Sequence, residues 1–271
     1  MIINHNLNAM NSHRQMMANT TAAGKSMEKL SSGLRINRAG DDAAGLSISE
    51  KMRGQIRGLD QASRNSQDGI SMIQTAEGAL NETHSILQRM RELTVQASND
   101  TNVTTDRDSI KDELTALTSE IDRIATQTEF NTQTMFSGGT TVNFQVGANC
   151  GQQITLTFSA MKSSDLGVNG VDAKVDTAAN ATAAICTVND AIEKVSKERS
   201  KLGAVQNRLE HTISNLNNAS ENLQSAESRV RDVDMAKEMM NFSKNNILQQ
   251  AAQAMLAQAN QQPQGVLQLL R

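Results

Sequence analysis

Residues 185–230 read ICTVNDAIEKVSKERSKLGAVQNRLEHTISNLNNASENLQSAESRV, and the spacing of their apolar residues decides the fold class. Counting from Ile185 in alternating steps of three and four residues gives positions that are mostly aliphatic. The series is Val188, Ile192, Val195, Arg199, Leu202, Gln206, Leu209, Ile213, Leu216, Ser220, Leu223, Glu227 and Val230. A seven-residue repeat kept this long is typical of a coiled-coil-like helix. At about 1.5 Å per residue the helix would be roughly 70 Å long, which predicts an elongated rod.

The N-terminal half supplies partners for this helix. One stripe consists of Ile73, Ala76, Leu80, Thr83, Leu87, Met90, Thr94 and Ala97, and after turn-rich residues 99–105 a second consists of Ile110, Leu114, Leu117, Ile121 and Ile124. Ser47-Ile-Ser-Glu50 has the spacing of a capping box and predicts that the first helix begins near Ile48. Thr105, followed by Asp106 and Asp108, is the predicted N-cap of the second helix.

The middle of the chain differs from both halves. Residues 142–146 and 154–158 alternate apolar and polar side chains around a Gly-containing loop, which predicts a β-hairpin within a region of about 130–160. Four of the five phenylalanines fall in this window, and they are expected to pack the hairpin onto the helices. Residues 159–184 are weakly patterned and predict a loop, with the long helix starting near Asp176.

Both ends of the chain carry further helical stripes. The N-terminal stripe is Ile3, Leu7, Met10, Met17, Met27, Leu30 and Leu34, and the C-terminal stripe is Ile247, Ala251, Ala254, Met255 and Ala259. Residues 245–270 contain no Asp, Glu, Lys or Arg. Neutral amide side chains carry no like-charge repulsion, so this composition suits a helix surrounded by protein. The alternative is a poorly ordered Gln-rich tail.

The fold class expected from these patterns is mainly α. It combines an elongated coiled-coil-like helical rod with a small β-hairpin region and paired N- and C-terminal helices. The predicted domains are a discontinuous terminal-helix domain of residues 1–44 and 231–271, and a rod domain of residues 45–230. Too few residues remain in the middle for a large outer domain.

Composition and charge exclude several classes of protein. The only proline is Pro263, Tyr and Trp are absent, and the net charge is −3 without a basic run, so nucleic acid is not an expected partner. No apolar run is long enough to insert into a membrane. The first residues lack the features of a cleaved signal peptide, so the protein is expected to stay inside or to leave by another route. Cys150 and Cys186 lack metal-like spacing and are interpreted as two incidental thiols.

No motif of the sequence indicates catalysis or a cofactor. His5, His13, His84 and His211 are scattered and have no carboxylate at ligand spacing. Asp41 and Asp42 are interpreted as caps in a connector rather than as metal ligands. We therefore expect no enzyme activity, no metal and no cofactor.

Long segments of the chain resemble bacterial flagellin. LSSGLRINRAGDDAAGLSISEKMRGQIRGLDQASRNSQDGISMIQTAEGAL resembles the N-terminal signature of that family, and ESRVRDVDMAKEMMNFSKNNILQQAAQAMLAQANQQPQGVLQLLR resembles its C-terminus. QRMRELTVQASND and EIDRIATQTEFN, between them, look like the flagellin rod. Many flagellins insert large outer domains in the middle, so this chain resembles a minimal form that lacks them.

The resemblance implies a structural subunit that self-assembles into the helical flagellar filament used for swimming. Family members leave the cell unfolded through the flagellar export apparatus and polymerise at the filament tip, so the implied location is the extracellular filament. The implied partners are other copies of the chain, hook–filament junction and filament cap proteins, and a flagellar secretion chaperone. Since both terminal helices build the inner tube, the predicted self-assembly residues are Leu7, Met10, Met17, Ile247, Ala251 and Met255.

The resemblance also carries a recognition motif. In the family, the innate receptor Toll-like receptor 5 contacts an Arg and a Leu that match Arg89 and Leu93 in QRMRELTVQ, and a Glu that matches Glu113. The alternative is that Arg89 and Glu113 have only packing roles in a filament and that Leu93 packs in the bundle.

Three other functions compete with the filament subunit. A hook–filament junction protein shares flagellin-like ends. A secreted coiled-coil adhesin or effector would need an independent binding module, which no segment is large enough to form. An enzyme would need a catalytic domain within residues 138–184.

Overall fold

A computed structural model describes the backbone of residues 6–269 and the side chains of residues 6–262. Its long helices are α1 (Leu7–Ser32), α2 (Ala43–Ala97), α3 (Thr104–Gln127), α5 (Ala178–Arg231) and α6 (Met235–Leu269). Between α3 and α5 lie the short strands β1 (Glu129–Phe130), β2 (Gln133–Thr134), β3 (Thr141–Gln145) and β4 (Gln153–Thr157), the single-turn helix α4 (Ser163–Leu166) and a 3₁₀ turn at Asp172–Lys174. The mainly α class with a small hairpin region and long paired helices is confirmed.

The chain divides into two compact units. The terminal unit consists of Met1–Gly54 and Glu221–Arg271, and the central unit consists of Gln55–Ser220. The sequence-based boundaries at 44/45 and 230/231 stay a prediction.

The core of the central unit is built by α2, α3 and α5. Every member of the stripe predicted on α2, from Ile73 to Ala97, is buried. The helices run antiparallel, since Asp60 and Ser63 of α2 contact Ser220 and Asn217 of α5 through side-chain hydrogen bonds. Burying one such aliphatic side chain stabilises the fold by about 1.5–3 kcal/mol, so this seam accounts for much of the driving force.

The buried face of α5 is offset from the predicted stripe. Val188, Val195, Leu202 and Leu209 are buried as predicted. Between them, each buried residue lies one position before the residue that the stripe predicts. These positions are Ala191, Glu198 and Val205 in place of Ile192, Arg199 and Gln206. Glu198 is tolerated there because it accepts hydrogen bonds from the backbone N–H and the hydroxyl of Ser159, at 3.1 and 2.9 Å.

The β-hairpin prediction is confirmed. β3 and β4 pair antiparallel, with Phe144 opposite Ile154 and Val142 opposite Leu156. Phe136 and Phe158 are fully buried and meet edge to face, with ring centroids 5.9 Å apart. These apolar side chains join the same core as the helices, which is how a two-stranded hairpin, marginal by itself, is held in place.

The segment after the hairpin is more ordered than its composition predicts. Val168, Val171 and Val175 are fully buried. Ser163 donates its backbone N–H and its hydroxyl to the carboxylate of Asp122 on α3, both at 2.8 Å. The segment is therefore packed onto α3 rather than being an open loop, and α5 begins at Ala178.

Two predicted helix starts are wrong. α2 begins at Ala43, not near Ile48, because the Asp42 carboxylate accepts the backbone N–H of Gly45 at 2.8 Å. Ser49 of the proposed capping box is fully buried inside the helix, where its hydroxyl lies 3.4 Å from the carboxylate of Glu227. α3 begins at Thr104, and Asp106 accepts the N–H of Val103, so the cap lies two residues before Thr105.

Candidate assembly and recognition surfaces

The terminal unit is organised by an antiparallel pair, α1 and α6. Asn6 caps α1 by accepting the N–H of Ala9 at 3.1 Å, and its amide donates to the carbonyl of Ala259 near the far end of α6 at 2.7 Å. At the other end Gly33 closes α1 with a left-handed φ of 71°. The connectors then form a β-bridge between Leu34 and Asp232.

The least exposed faces of α1 and α6 are made mainly of small and polar residues. Each is spaced by threes and fours, as in a coiled coil. They consist of Ala9, Ser12, Met16, Asn19, Ala23, Ser26 and Leu30 on α1, and Glu238, Phe242, Asn245, Gln249, Ala252, Leu256 and Ala259 on α6. Of these only Ser26 and Ala259 are buried, and the large apolar members Met16, Leu30, Phe242 and Leu256 are half-buried.

Most large apolar side chains of the same helices face outward, apart from Met16, Leu30, Phe242 and Leu256 on the inward faces. Leu7 is 70% exposed, and Met10, Met17 and Met27 on α1 are each more than half exposed. On α6 the exposed group consists of Met235, Met239, Met240, Ile247, Leu248 and Met255. Large apolar side chains exposed in this number on two helices are typical of an interaction site.

The structure places all six predicted self-assembly residues on this outward surface. Leu7, Met10 and Met17 lie on α1, while Ile247, Ala251 and Met255 lie on α6. Their role in assembly stays a prediction. Ile3 of the N-terminal stripe lies outside the described residues.

Sequence reasoning missed one part of the outward surface. Met239, Met240, Ile247 and Leu248, with Ser243 and Lys244, line an open groove of about 510 Å³ on α6. The spacing of Met240 from Ile247 is one heptad, so extending the C-terminal stripe upstream past Lys244 would have found it.

A second candidate surface lies on α2 and α3 in the central unit. The Arg89 guanidinium donates to Glu113 at 2.9 Å and to Glu92 at 3.0 Å, and the side chains of Arg89 and Glu113 are 51% and 43% exposed. The hydrogen bond to Glu113 raises the pKa of Arg89 above its ordinary value. The structure thus brings two of the predicted receptor residues together on an exposed face.

Leu93 does not belong to that face. Its side chain is 2% exposed and lies in the core of the central unit. The expectation of direct contact between Leu93 and a receptor is therefore corrected: a stripe neighbour one turn after Arg89 packs inward. Val95, two residues further, is 50% exposed on α2.

The remaining candidates for chemistry do not converge. Within the described part of the chain, no three His, Cys, Asp or Glu side chains come together as a metal site. Cys150 and Cys186 are free and exposed. Asp41 accepts the backbone N–H groups of Arg38 and Asn37, which lower the pKa of its carboxyl, as suits a cap in a connector. Among the helices described, none is long and apolar enough to cross a membrane.

Comparisons with known proteins give matches to flagellins, and the relatives align over the whole chain. A family model described as the bacterial flagellin N-terminal helical region matches residues 3–141, and one described as the C-terminal helical region matches residues 185–270. The chain is 64% identical to a flagellin of Halalkalibacterium halodurans and 56% identical to a flagellin of Bacillus subtilis, in each case over all of both chains.

The fold is also similar to that of a solved structure. A protein described as a flagellar hook-associated protein from Vibrio parahaemolyticus aligns with a TM-score of 0.60, over 71% of this chain and all of that chain. The two sequences are 13% identical, so this likeness concerns the fold alone.

Proposed function

Because this chain belongs to the bacterial flagellin family, we propose that it self-assembles into the helical flagellar filament through the outward faces of α1 and α6. The chain is a structural subunit of the filament. The observation that carries the assembly surface is that most large apolar side chains of the α1–α6 pair are exposed, while its inward faces are made mainly of small and polar residues.

Burial of these outward faces by neighbouring copies would supply the driving force. Fully burying one Met, Leu or Ile side chain stabilises a complex by about 1.5–3 kcal/mol before the cost of ordering is counted. Residues 245–270 carry no charge, so copies of this segment can crowd together without repulsion between like charges. Both features favour a partner that is another copy of the same chain.

Export and location extend this proposal. The subunit leaves the cell unfolded through the flagellar export apparatus, with a secretion chaperone, and polymerises at the tip beneath cap proteins. Its first contacts are with hook–filament junction proteins, and its final location is the extracellular filament. Flagellins are a structural family, and we infer that this chain has no catalytic activity.

The alternative of a junction protein receives less support. Full-length relatives at 64% and 56% identity are named flagellin, whereas the likeness to a hook-associated protein rests on fold at 13% identity. An adhesin or effector would need a separate binding module, and residues 130–161 instead contribute their phenylalanines to the common core.

Electron microscopy after salt-induced assembly tests the proposed function. The unmodified protein should form long tubes, and a variant lacking residues 245–271 should not. Circular dichroism should show that the truncated variant is still substantially helical and melts cooperatively, because the core of the central unit lies outside the deletion. Normal tubes from the truncated protein would contradict the assembly role of α6.

Point variants make the same test sharper. Ile247→Gln with Met255→Gln places amides on the outward face of α6, where both side chains are more than half exposed in the subunit. Val95→Gln on α2 is the matched control, since Val95 is comparably exposed but lies in the central unit. The α6 variant should fail to assemble while the control assembles, and both should unfold at the same urea concentration.

A second proposed interaction is recognition by Toll-like receptor 5 at Arg89 and Glu113. It is supported by the exposed ion pair that joins them, because an Arg held in place by carboxylates loses less conformational freedom when it binds. Leu93 is buried in the core of the central unit and is not included in this surface.

A further inference from the structure

The outward faces of α1 and α6 are built largely from methionine. Seven of these side chains are between 48% and 67% exposed. They are Met10, Met17 and Met27 on α1, and Met235, Met239, Met240 and Met255 on α6. Methionine adapts its shape to irregular partners, but its thioether is also the side chain that oxidants convert most readily after the thiol.

The methionines of the central unit are in the opposite situation. Met72, Met90, Met135 and Met161 are at most 5% exposed and lie in the hydrophobic core. An oxidant in solution therefore reaches the methionines of the proposed assembly surface and not those of the core. The exposed methionines of α1 and α6 are thus the reactive ones, and the buried methionines of the central unit are a control within the same chain.

The chemistry needs only a peroxide. The thioether sulfur attacks one oxygen of hydrogen peroxide, the O–O bond breaks, an S–O bond forms and water leaves. The product is a sulfoxide, which is polar and accepts hydrogen bonds. A sulfoxide buried against an apolar neighbour without a donor costs free energy that the thioether does not.

We propose that the exposed methionines of α1 and α6 are oxidation sites at which peroxide blocks subunit assembly. The inference rests on the proposed function, since it requires these faces to be buried between copies in the filament. The proposal also predicts that peroxide sensitivity depends on assembly. The methionines are oxidised in the free subunit and protected in the filament. A methionine sulfoxide reductase would restore the subunit.

Geometry concentrates the effect on α6. Met239 and Met240 line the open groove together with Ile247 and Leu248, so oxidation there converts an apolar groove into a mixed one. Lys244 is the charged residue at the same groove and cannot donate to every sulfoxide oxygen at once. Several exposed sites on the same two helices make the loss cumulative.

The experiment begins with the unmodified full chain. Free subunits are treated with hydrogen peroxide, quenched with catalase and then reduced with dithiothreitol, which reverses sulfenic acids and disulfides at the exposed Cys150 and Cys186 but not sulfoxides. Peptide mass spectrometry maps the added oxygen, and sedimentation measures the critical concentration for assembly. We expect that concentration to rise about tenfold or more, which corresponds to about 1.4 kcal/mol.

A substituted chain separates methionine from all other targets. Met10→Leu, Met17→Leu, Met27→Leu, Met235→Leu, Met239→Leu, Met240→Leu and Met255→Leu keep apolar side chains of similar volume. The critical concentration of each chain after peroxide is compared with that of the same chain before treatment, and peroxide should barely change it for the surface variant. The matched control carries Met72→Leu and Met90→Leu in the core and should remain as sensitive as the unmodified chain. An equally sensitive surface variant would overturn the proposal.

A second readout does not depend on any variant. Peroxide applied to assembled tubes should oxidise the seven exposed methionines far more slowly than peroxide applied to free subunits. Equal rates, or a fully oxidised subunit that assembles normally, would refute the inference. If untreated subunits form no tubes at all, the proposed function fails first and the oxidation proposal falls with it.

Discussion

Leu93 and Val95 lie two residues apart on α2, yet they are 2% and 50% exposed. This difference follows from the helical period, because Leu93 is next to Thr94 and Met90 on the buried side and Val95 points away. From sequence alone Leu93 could be assigned either to a recognition surface or to the core. Exposure decides between the two.

Leu93→Ala is predicted to destabilise the central unit. Truncating a fully buried leucine removes apolar contacts and leaves a cavity, which costs about 2–5 kcal/mol. Urea unfolding followed by circular dichroism measures the change, with Val95→Ala as the control on the same helix. If the two variants unfold at the same urea concentration, the burial of Leu93 is not as described.

Arg89→Ala is predicted to weaken receptor binding with little change in unfolding. Its ion pairs with Glu92 and Glu113 are exposed and screened by solvent, so they contribute little to stability. An Arg near the centre of an interface, by contrast, is often a hot spot. A titration against the receptor ectodomain measures binding. No affinity in the unmodified subunit would eliminate this surface.

At the scale of single elements, sequence reasoning succeeded where the burial pattern is aliphatic. The stripe from Ile73 to Ala97 on α2 and the two strands of the hairpin were predictable, because each buried position carries an apolar or small side chain. The buried face of α5 was offset because Glu198 occupies a core position. Its hydrogen bonds from Ser159 come from a distant segment, which no local pattern can reveal.

Helix starts were the other weakness at this scale. Ser47 and Glu50 have capping-box spacing, but Asp42 already caps the helix five residues earlier. The sequence alone does not distinguish a cap at Asp42 from one at Ser47. In the structure the helix begins after Asp42, and Ser49 and Ile36 are both fully buried. Such packing becomes visible only in three dimensions.

Gly58→Ala is predicted to disturb the docking of the hairpin on α2. A Cβ at Gly58 would lie 2.7 Å from the Cβ and 3.1 Å from the Cα of Ala148, in the loop between β3 and β4. Overpacking of this kind costs about 1–3 kcal/mol. Thermal unfolding measures it.

Gly78→Ala on the same helix is the matched control. Gly78 is exposed and has open space around it, so alanine should stabilise the helix by about 0.5–1 kcal/mol. If both substitutions stabilised the protein equally, the loop between β3 and β4 would be able to move away from Gly58 at no cost in free energy.

At the scale of the whole molecule, the terminal helices show what a sequence leaves open. Their apolar stripes were predictable, but not the side to which the stripes point. In the structure most residues of the stripes face outward, but Leu30 and Ala259 face inward, and mainly small and polar residues line the inward faces. The sequence of a subunit records contacts with neighbouring copies as well as contacts within the chain, and pattern alone does not separate the two.

This arrangement predicts a large difference in local stability. Because the large inward apolar side chains of α1 and α6 are only half-buried, while those of α2 are fully buried, amides of α1 and α6 should exchange faster in the free subunit than those of α2 in the central unit. In the filament the same amides, over residues 7–32 and 240–260, should be strongly protected. Hydrogen exchange followed by mass spectrometry measures both states. Equal protection of α1, α6 and α2 in the free subunit would show that the terminal helices are already a stable domain.

A cryo-electron microscopy reconstruction of tubes assembled from the purified protein tests the central claim most directly. We predict that Leu7, Met10 and Met17 of α1, and Ile247, Ala251 and Met255 of α6, lie buried between copies. We also predict that the small and polar faces stay paired within each copy. Tubes in which these apolar residues face the solvent or an open channel, with contacts made elsewhere, would contradict the account.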